Sequence, residues 1–347
     1  MRIKIAERLH PFSHTPGVSC IVPNTSVEVE VFPVLLRFKD LDSSMQTEYK
    51  LDLKGPVRNF TVVQDLEKMC VRVFGHFAEG YVRYHIVREE KGLAIVFEKA
   101  PGTLLARQMN IEMPMSIDRV EVQPERLSLG IDKKQDWDLV VRRQDLKEIF
   151  PIWLRLGQLL GTSKIESSHI GTLSLLDVCE ELVAKREKIA LLDAFLNVFN
   201  AGFRGIMVPR LSDDQFQGLA PEIENSASGA FPLPILINGS SLVRSLFFEE
   251  DPNSISFLPC LLSNFDCGRF INIQSMHGEI DMEWSKKMLR RVVIRCKTNR
   301  ELFLRLQNSI KKFRIRKSQR DRGKVIESGK SILLNENETL LLDRFQR

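Results

Sequence analysis

Apolar and polar side chains alternate through the first third of the chain, which is the pattern of β-strands with one buried face. Val71 and Val73 fall on one face and Arg72 on the other, and a second alternating run covers Tyr81 to Val87. The five-residue segment HFAEG between the two runs predicts the turn of a β-hairpin. Similar runs recur from about 18 to 125, so we predict an antiparallel β-sandwich there.

The period changes to that of helices in the middle of the chain. Leu146, Ile149 and Trp153 recur three or four residues apart, which predicts an amphipathic helix with Trp153 in the core. Pro151 interrupts this run, and we place it in the first turn of a new helix, where its missing N–H is tolerated. Two to four helices are predicted between residues 142 and 203.

Alternation returns from Ile235 and continues to the C-terminus. Ile280, Met282 and Trp284 share one face of a predicted strand, and Asp281 lies on the opposite face. Because its apolar neighbours share its face, we predict that Trp284 packs in the core between two sheets.

These patterns predict a mainly β fold class, with two antiparallel β-sandwich units joined by a short helical segment. The changes of period place an N-terminal sandwich at 1–130, a helical linker at 131–210 and a C-terminal sandwich at 211–347. A chain of 347 residues is long enough for more than one unit of ordinary domain size.

Composition narrows the functional classes. The six cysteines are scattered without a CxxC, and six histidines form no cluster with them, so we expect reduced thiols, no metal site and no cofactor. No apolar run approaches the 18 residues of a membrane span, and the N-terminus lacks the apolar centre of a secretory signal. The sequence therefore predicts a cytoplasmic protein without a membrane partner.

The net charge of +5 comes from one short segment, 311–324, which holds eight basic residues and one acid. Alternation in KKFRIRK favours an edge strand that charge protects against aggregation. The alternative is a site for phosphates or other anions. Nucleic acid is not the expected main partner, because the rest of the chain is slightly acidic. The candidate anion-binding residues are Arg314, Arg316, Lys317, Arg320 and Arg322.

A series of motifs runs through the C-terminal region: FLPCLL at 257–262, Gly268, GEIDMEWSKKMLRR at 278–291 and NENETLLL at 335–342. Their order resembles the C-terminal β-sandwich of helical-barrel glycoside hydrolases, of the fucosidase and disaccharide-phosphorylase type. Phe265 stands where those enzymes have a tryptophan, and HGEI replaces their paired glycines.

The resemblance implies an accessory sandwich without the catalytic barrel. That barrel contains about twelve helices, and only about 60 residues here have helical periodicity. The order of β-strands, helices and β-strands is similar to the plan of those enzymes with the barrel removed. The whole chain also resembles a group of proteins from chlamydial bacteria, which implies a bacterial source and no particular activity.

The best single candidate for a ligand site is Asp136, Trp137 and Asp138, at the predicted junction of sandwich and helices. A sugar site often combines an aromatic face with carboxylates, and clefts form at such junctions. The alternative is an anchoring tryptophan between acids that favour the start of a helix.

A second acidic pair, Asp281 and Glu283, lies on one strand face about 7 Å apart. Paired carboxylates at this separation could act as glycosidase acid and base. The favoured alternative is a solvated outer face with cross-strand ion pairs to Arg290 and Arg291.

The leading functional hypothesis is a non-catalytic scaffold or interaction protein built on a glycosidase-like sandwich. No catalytic residue is assigned; if the protein is an enzyme, the resemblance implies glycoside hydrolase chemistry. The first alternative is a carbohydrate-binding or carbohydrate-active protein with its site at Asp136–Asp138, so a carbohydrate or a protein is the expected partner. The second alternative is anion or nucleic-acid binding through 311–324.

Overall fold

The computed structural model describes residues 2–43, 45–101, 108–113, 125–160, 170–221, 231–318 and 320–347. Of these residues, 42% lie in strands and 21% in helices, which confirms the mainly β fold class. The helices of the described residues are α1 Trp137–Arg143, α2 Leu146–Leu159, α3 Leu173–Lys185, α4 Lys188–Gly202 and α5 Leu233–Phe247.

The strands form four larger sheets and one two-stranded ribbon. In chain order they are β1 Phe12–Ser13, β2 Val18–Ile21, β3 Val27–Val31, β4 Leu35–Asp40, β5 Gln46–Lys50, β6 Arg58–Asp65, β7 Cys70–Phe77, β8 Gly80–Glu89, β9 Gly92–Lys99, β10 Gln108–Glu112, β11 Arg126–Ser128, β12 Phe203–Arg204, β13 Val208–Pro209, β14 Phe248–Asp251, β15 Ser254–Phe257, β16 Gly268–Ser275, β17 Gly278–Ser285, β18 Met288–Cys296, β19 Arg300–Arg305, β20 Lys312–Arg316, β21 Lys324–Glu327, β22 Ser331–Leu334 and β23 Thr339–Gln346. Strands β12 and β13 form the ribbon.

The N-terminal sandwich consists of sheet A, in the order β1-β6-β7-β8-β9-β10, and sheet B, in the order β2-β3-β4-β5. The alternation that predicts these strands corresponds to burial, since Val71 and Val73 are fully buried. Gln64 of sheet A donates a 2.8 Å hydrogen bond to the Ile21 carbonyl of sheet B. The β7–β8 hairpin is confirmed, but Phe77 pairs with Gly80, so its loop has two residues and not five.

The C-terminal sandwich consists of sheet C, in the order β11-β16-β17-β18-β23-β20-β21, and sheet D, in the order β14-β15-β19-β22. Trp284 is 2% exposed within it, and its indole N–H donates to the Phe265 carbonyl at 3.1 Å, which confirms its core position. The all-antiparallel prediction is wrong for β15 and β19, which pair in parallel. Between them the chain passes through sheet C and returns in the same direction, as a parallel crossover requires.

The helices pack between the sandwiches, and α2 and α5 make the closest contact. A Cβ built on Gly239 of α5 would lie 2.4 Å from the Trp153 ring of α2, so only glycine allows this approach. Trp153 is fully buried, as predicted, and its indole N–H donates to the Ile235 carbonyl. On the other side, the Arg155 guanidinium of α2 donates to the Leu66 carbonyl beside sheet A.

Two predicted boundaries are wrong. The strands expected from Ile235 begin only at Phe248, because Leu233–Phe247 is a helix whose apolar side chains fit against α2. Pro151 does not start a helix: α2 begins at Leu146, where the Asp145 side chain accepts a hydrogen bond from the Lys147 amide, and Pro151 lies inside it. Buried packing of the proline and its neighbours outweighs the loss of one helical hydrogen bond.

The N-terminal arm, residues 2–10, runs across the outer face of sheet C before it reaches sheet A. Ile3 packs on Ile271, Val293 and Leu341, which form a small core separate from the main one. Leu9, near the other end of the arm, belongs to the main core. The arm therefore contacts both sandwiches. Among the described residues, no helix is long and apolar enough to cross a membrane.

Candidate functional site

The predicted junction site is only partly assembled as expected. Asp136 precedes α1, half-buried, and the exposed Asp138 carboxylate accepts a 3.3 Å hydrogen bond from the Thr15 hydroxyl. Trp137 is only 3% exposed, and its ring meets Phe199 edge-on at 6.1 Å. The tryptophan is thus an anchor under α1, as the alternative interpretation holds, and offers no open face for stacking on a sugar.

A shallow groove of about 600 Å³ does lie beside this junction. Asp138 and Arg142 of α1 line it together with Glu30 and Arg204. Charged groups of both signs therefore surround the depression. Arg204 is already engaged, since its guanidinium lies 2.7 Å from the Glu28 carboxylate.

Three of the eight basic residues in the basic segment are paired with acids of the same sheet or beside it. Arg314 binds Asp343 through two hydrogen bonds of 2.8 and 2.9 Å, and Arg316 contacts the same carboxylate at 2.5 Å. Lys317 pairs with Glu338 at 2.7 Å. The edge-strand interpretation is wrong in one respect: β20 lies between β23 and β21, so β21 forms the edge.

The remaining two candidate cations of this segment are Arg320 and Arg322. Neither side chain forms an ion pair with another described residue. Of the five candidate residues, only Arg320 and Arg322 therefore present guanidinium groups to solvent that are unpaired within the described residues. A multivalent phosphate site needs several cations that are available together.

Asp281 and Glu283 do not form a catalytic pair. Glu283 binds Arg291 through two hydrogen bonds of 2.5 and 2.7 Å, so the predicted cross-strand ion pair is confirmed. The predicted solvation of Asp281 is wrong: it is 1% exposed because the outer face of sheet C lies under the N-terminal arm. Its partner is Arg295, at 2.6 Å, and not Arg290.

A larger groove, of about 1030 Å³, lies on the outer face of sheet D. We call it the sheet D groove. Phe303 and Arg305 of β19 form part of its floor, and their side chains share one strand face about 7 Å apart. Arg186 in the turn between α3 and α4, and Lys188 at the start of α4, form another part of the lining. Phe303 is 51% exposed, whereas Leu302 and Leu304 on either side of it are buried.

Several polar side chains in this groove have no hydrogen bond or ion pair with another described residue. The Ser256 hydroxyl and the side-chain amides of Asn253 and Asn308 make no hydrogen bond to another described residue. The side chains of Arg186 and Lys188 form no ion pair within the described part of the chain. Polar groups that the fold leaves available around an exposed aromatic ring are what a binding site for a polar ligand requires.

One carboxylate balances part of the positive charge. Asp251 accepts hydrogen bonds from the Ser254 hydroxyl at 2.6 Å and from the backbone N–H of Asn253 at 2.8 Å, and these bonds lower its pKa below the ordinary value. Arg305 lies 3.2 Å away and acts in the same direction. Asp251 is therefore ionised at neutral pH and available as a hydrogen-bond acceptor.

The chain matches no protein-family model, and a search of the curated proteins gives no match. Within the described residues, no group of three His, Cys, Asp or Glu side chains is arranged to hold a metal ion. The resemblance to glycoside hydrolase sandwiches stays a prediction, and the geometry of the grooves carries the functional interpretation.

Sequence reasoning did not find the sheet D groove. One signal was present: in LFLRL, Leu302 and Leu304 predict the buried face, which leaves the aromatic Phe303 on the outer face. The α3–α4 turn lies more than a hundred residues earlier in the chain. No local pattern indicates that this turn and Phe303 line the same groove.

Proposed function

We propose that this protein is a non-catalytic interaction protein, a two-sandwich scaffold that binds its ligand in the sheet D groove. The observation that carries the proposal is the set of polar side chains around Phe303 that the fold leaves without partners. Buried polar groups usually have a hydrogen-bond partner, and Ser256, which is 6% exposed at the wall of the groove, has none among the described residues, so this concave surface favours ligand binding.

Two features favour binding over catalysis. Burial raises the pKa of Cys70 to about 11 and that of Cys179 to about 12, so these thiols stay protonated at neutral pH and are poor nucleophiles. The carboxylates Asp281 and Glu283 are each held in an ion pair, by Arg295 and Arg291, and are not arranged as a pair on either side of a cleft.

The scaffold part of the proposal draws on the resemblance described above. A glycosidase-like sandwich without its barrel retains a folded surface and loses the chemistry that the barrel carries. The N-terminal arm and the helices contact both sandwiches, which supports a single body that presents its surfaces in a constant arrangement.

A carbohydrate-binding or carbohydrate-active site at Asp136–Asp138 is the second candidate. The groove of about 600 Å³ beside Asp138 is the observation that favours it. Its test is a screen of the purified protein against aryl glycosides and disaccharides, alongside Asp136→Asn and Asp138→Asn. A hundredfold loss of turnover in either variant would contradict the non-catalytic proposal.

The leading proposal is tested by a binding screen with matched variants. Neutral oligosaccharides, acidic oligosaccharides and peptides are compared by the shift in thermal midpoint, and positive ligands are measured by titration calorimetry. We expect Phe303→Ala to weaken binding about tenfold or more, because the exposed ring contacts the ligand. Leu333→Ala is the control, since Leu333 is 64% exposed on the neighbouring strand and does not line the groove.

Two results would contradict the proposal. One is that no ligand class binds the native protein. The other is a ligand whose affinity is equal in the Phe303→Ala variant and the native protein, because such a ligand occupies another surface.

A further inference from the structure

We infer that the ligand of the sheet D groove is an acidic oligosaccharide, a chain of sugar rings that carry carboxylate or sulfate groups. This inference rests on the proposed function and adds the chemical class of the ligand. It follows from the charges, the aromatic surface and the backbone pairing of the groove.

The charge of the groove is positive. Arg186, Lys188 and Arg305 line it, and Asp251 is the one carboxylate among the described lining residues. The Arg305–Asp251 pair is open to solvent, with side chains 65% and 42% exposed, so it contributes little to stability. Arg305 can therefore turn its planar guanidinium toward a carboxylate or sulfate, a pairing that forms two parallel hydrogen bonds.

The aromatic surface and the neutral polar groups fit sugar rings. One face of a pyranose is apolar and packs on an aromatic ring, as Phe303 offers. Hydroxyls at the rim of such a ring both donate and accept hydrogen bonds. The amides of Asn253 and Asn308, the Ser256 hydroxyl and the Asp251 carboxylate supply both kinds of partner.

The spacing along β19 links these two features. Phe303 and Arg305 are two residues apart on one strand face, a rise of about 7 Å. A sugar ring that packs on Phe303 thus places an acidic group, on the same ring or the next, within reach of Arg305. Arg186 and Lys188 at the α3–α4 turn offer positive charge to acidic groups elsewhere along the oligosaccharide.

The backbone pairing disfavours an extended peptide. Strand addition requires an unpaired sheet edge, but β15 has β14 and β19 on its two sides, and β19 has β15 and β22. At Phe303 the strand is paired on both sides, with Ser254 of β15 and Ser331 of β22, so the ring lies over the face of the sheet and not at an edge. Single-stranded nucleic acid is also disfavoured, because such sites use several stacking aromatic rings along a basic track and the described groove residues include few of either.

The experiment compares acidic ligands with neutral ones, and includes one pair that differs mainly in charge. Tetragalacturonate is compared with its methyl ester, and heparin and hyaluronate tetrasaccharides are compared with neutral maltotetraose and with single-stranded DNA. We expect at least one acidic tetrasaccharide to bind at low salt at least about tenfold more tightly than every neutral ligand, with affinity that falls as salt rises.

Variants of the full-length protein locate the contacts. Arg305→Gln, and separately Arg186→Gln with Lys188→Gln, should weaken the acidic ligand about tenfold or more. The matched control is Arg320→Gln with Arg322→Gln, which removes two positive charges outside the groove and should leave affinity unchanged. Far-UV circular dichroism and the thermal midpoint of each variant confirm that it is folded.

The outcomes separate the inference from the function on which it rests. A neutral oligosaccharide or a peptide could bind in a way that Phe303→Ala abolishes and Arg305→Gln leaves intact. That result would support the proposed function and contradict the inference that the ligand is acidic. Preferential binding of DNA, or a loss of affinity in the Arg320 and Arg322 control, would overturn the inference in favour of another partner or site. If none of the acidic tetrasaccharides binds better than maltotetraose, the inference is wrong.

Discussion

Truncation of Trp284 to alanine tests the core of the C-terminal sandwich. The side chain is 2% exposed, its ring lies 5.4 Å from that of Phe247, and its N–H is bonded to the Phe265 carbonyl. A Cβ built on Gly268 would lie 2.3 Å from the ring, so the backbone of β16 approaches it directly. Because the residues around Trp284 are tightly packed, we expect them to relax little after the truncation and to leave an unfilled cavity.

The magnitude follows from burial and from the lost hydrogen bond. A buried tryptophan contributes on the order of 150–250 Å² of apolar contact, which at about 25 cal/mol per Å² is worth roughly 4 to 6 kcal/mol as an upper estimate. Alanine retains a small part of this contact, and the Phe265 carbonyl loses a bond worth about 1 kcal/mol. We expect Trp284→Ala to lower the free energy of unfolding by about 4 kcal/mol, within the usual 3–5 kcal/mol for such truncations.

The assay is urea unfolding followed by far-UV circular dichroism. With a slope of about 3 kcal/mol per M, a loss of about 4 kcal/mol lowers the midpoint by roughly 1.3 M. Trp284→Phe keeps most of the apolar contact and should cost about half as much or less. The exposed Leu333→Ala should change the midpoint little. A loss below about 1 kcal/mol in Trp284→Ala would refute the core position and reopen a role for this side chain at the surface.

Two further predictions concern a helix contact and an ion pair. Gly239→Ala should lower the free energy of unfolding by about 1–3 kcal/mol, because the new methyl group meets the Trp153 ring; equal or higher stability in the same urea assay would contradict this packing. Hydrogen bonds from Arg314 lower the pKa of Asp343 below its ordinary value of 3.8. The Asp343 carboxylate therefore contributes its full stabilisation above pH 3.8, and this stabilisation is lost as the pH falls through the lowered pKa. Asp343→Asn should therefore be less stable than the native protein at pH 6, and the difference in urea midpoint should narrow toward pH 3; a constant difference would mean that the carboxylate does not titrate as inferred.

Local periodicity was sufficient to predict an element and its buried side where only one face of that element is buried. The alternation of Ile280, Met282 and Trp284 predicts a strand with an inward face, and all three side chains are buried. The same reasoning failed for Leu233–Phe247, because a short apolar segment buried on many sides has no clear period. There the contact with α2, through Gly239 and Trp153, selects the helix.

The surroundings of the candidate site residues depend more strongly on contacts between segments that are distant in the chain. The sequence placed Asp281 and Glu283 side by side on a strand face, and that placement is right. Their different environments come from the N-terminal arm, which lies across this sheet although it is far away in the chain. For Trp137, likewise, only packing against Phe199 decides that the ring is an anchor.

The order of apolar and polar residues thus determined the mainly β class, the hairpin of β7 and β8 and the inward side of most strands, because side-chain direction repeats every two residues within a strand. Tertiary structure alone decided the parallel pairing of β15 with β19 and the assembly of the sheet D groove. That groove combines the α3–α4 turn with three strands of sheet D, and residues so far apart in sequence meet only through the packing of a shared core. Periodicity describes the faces of single elements, and it holds no information about which faces meet.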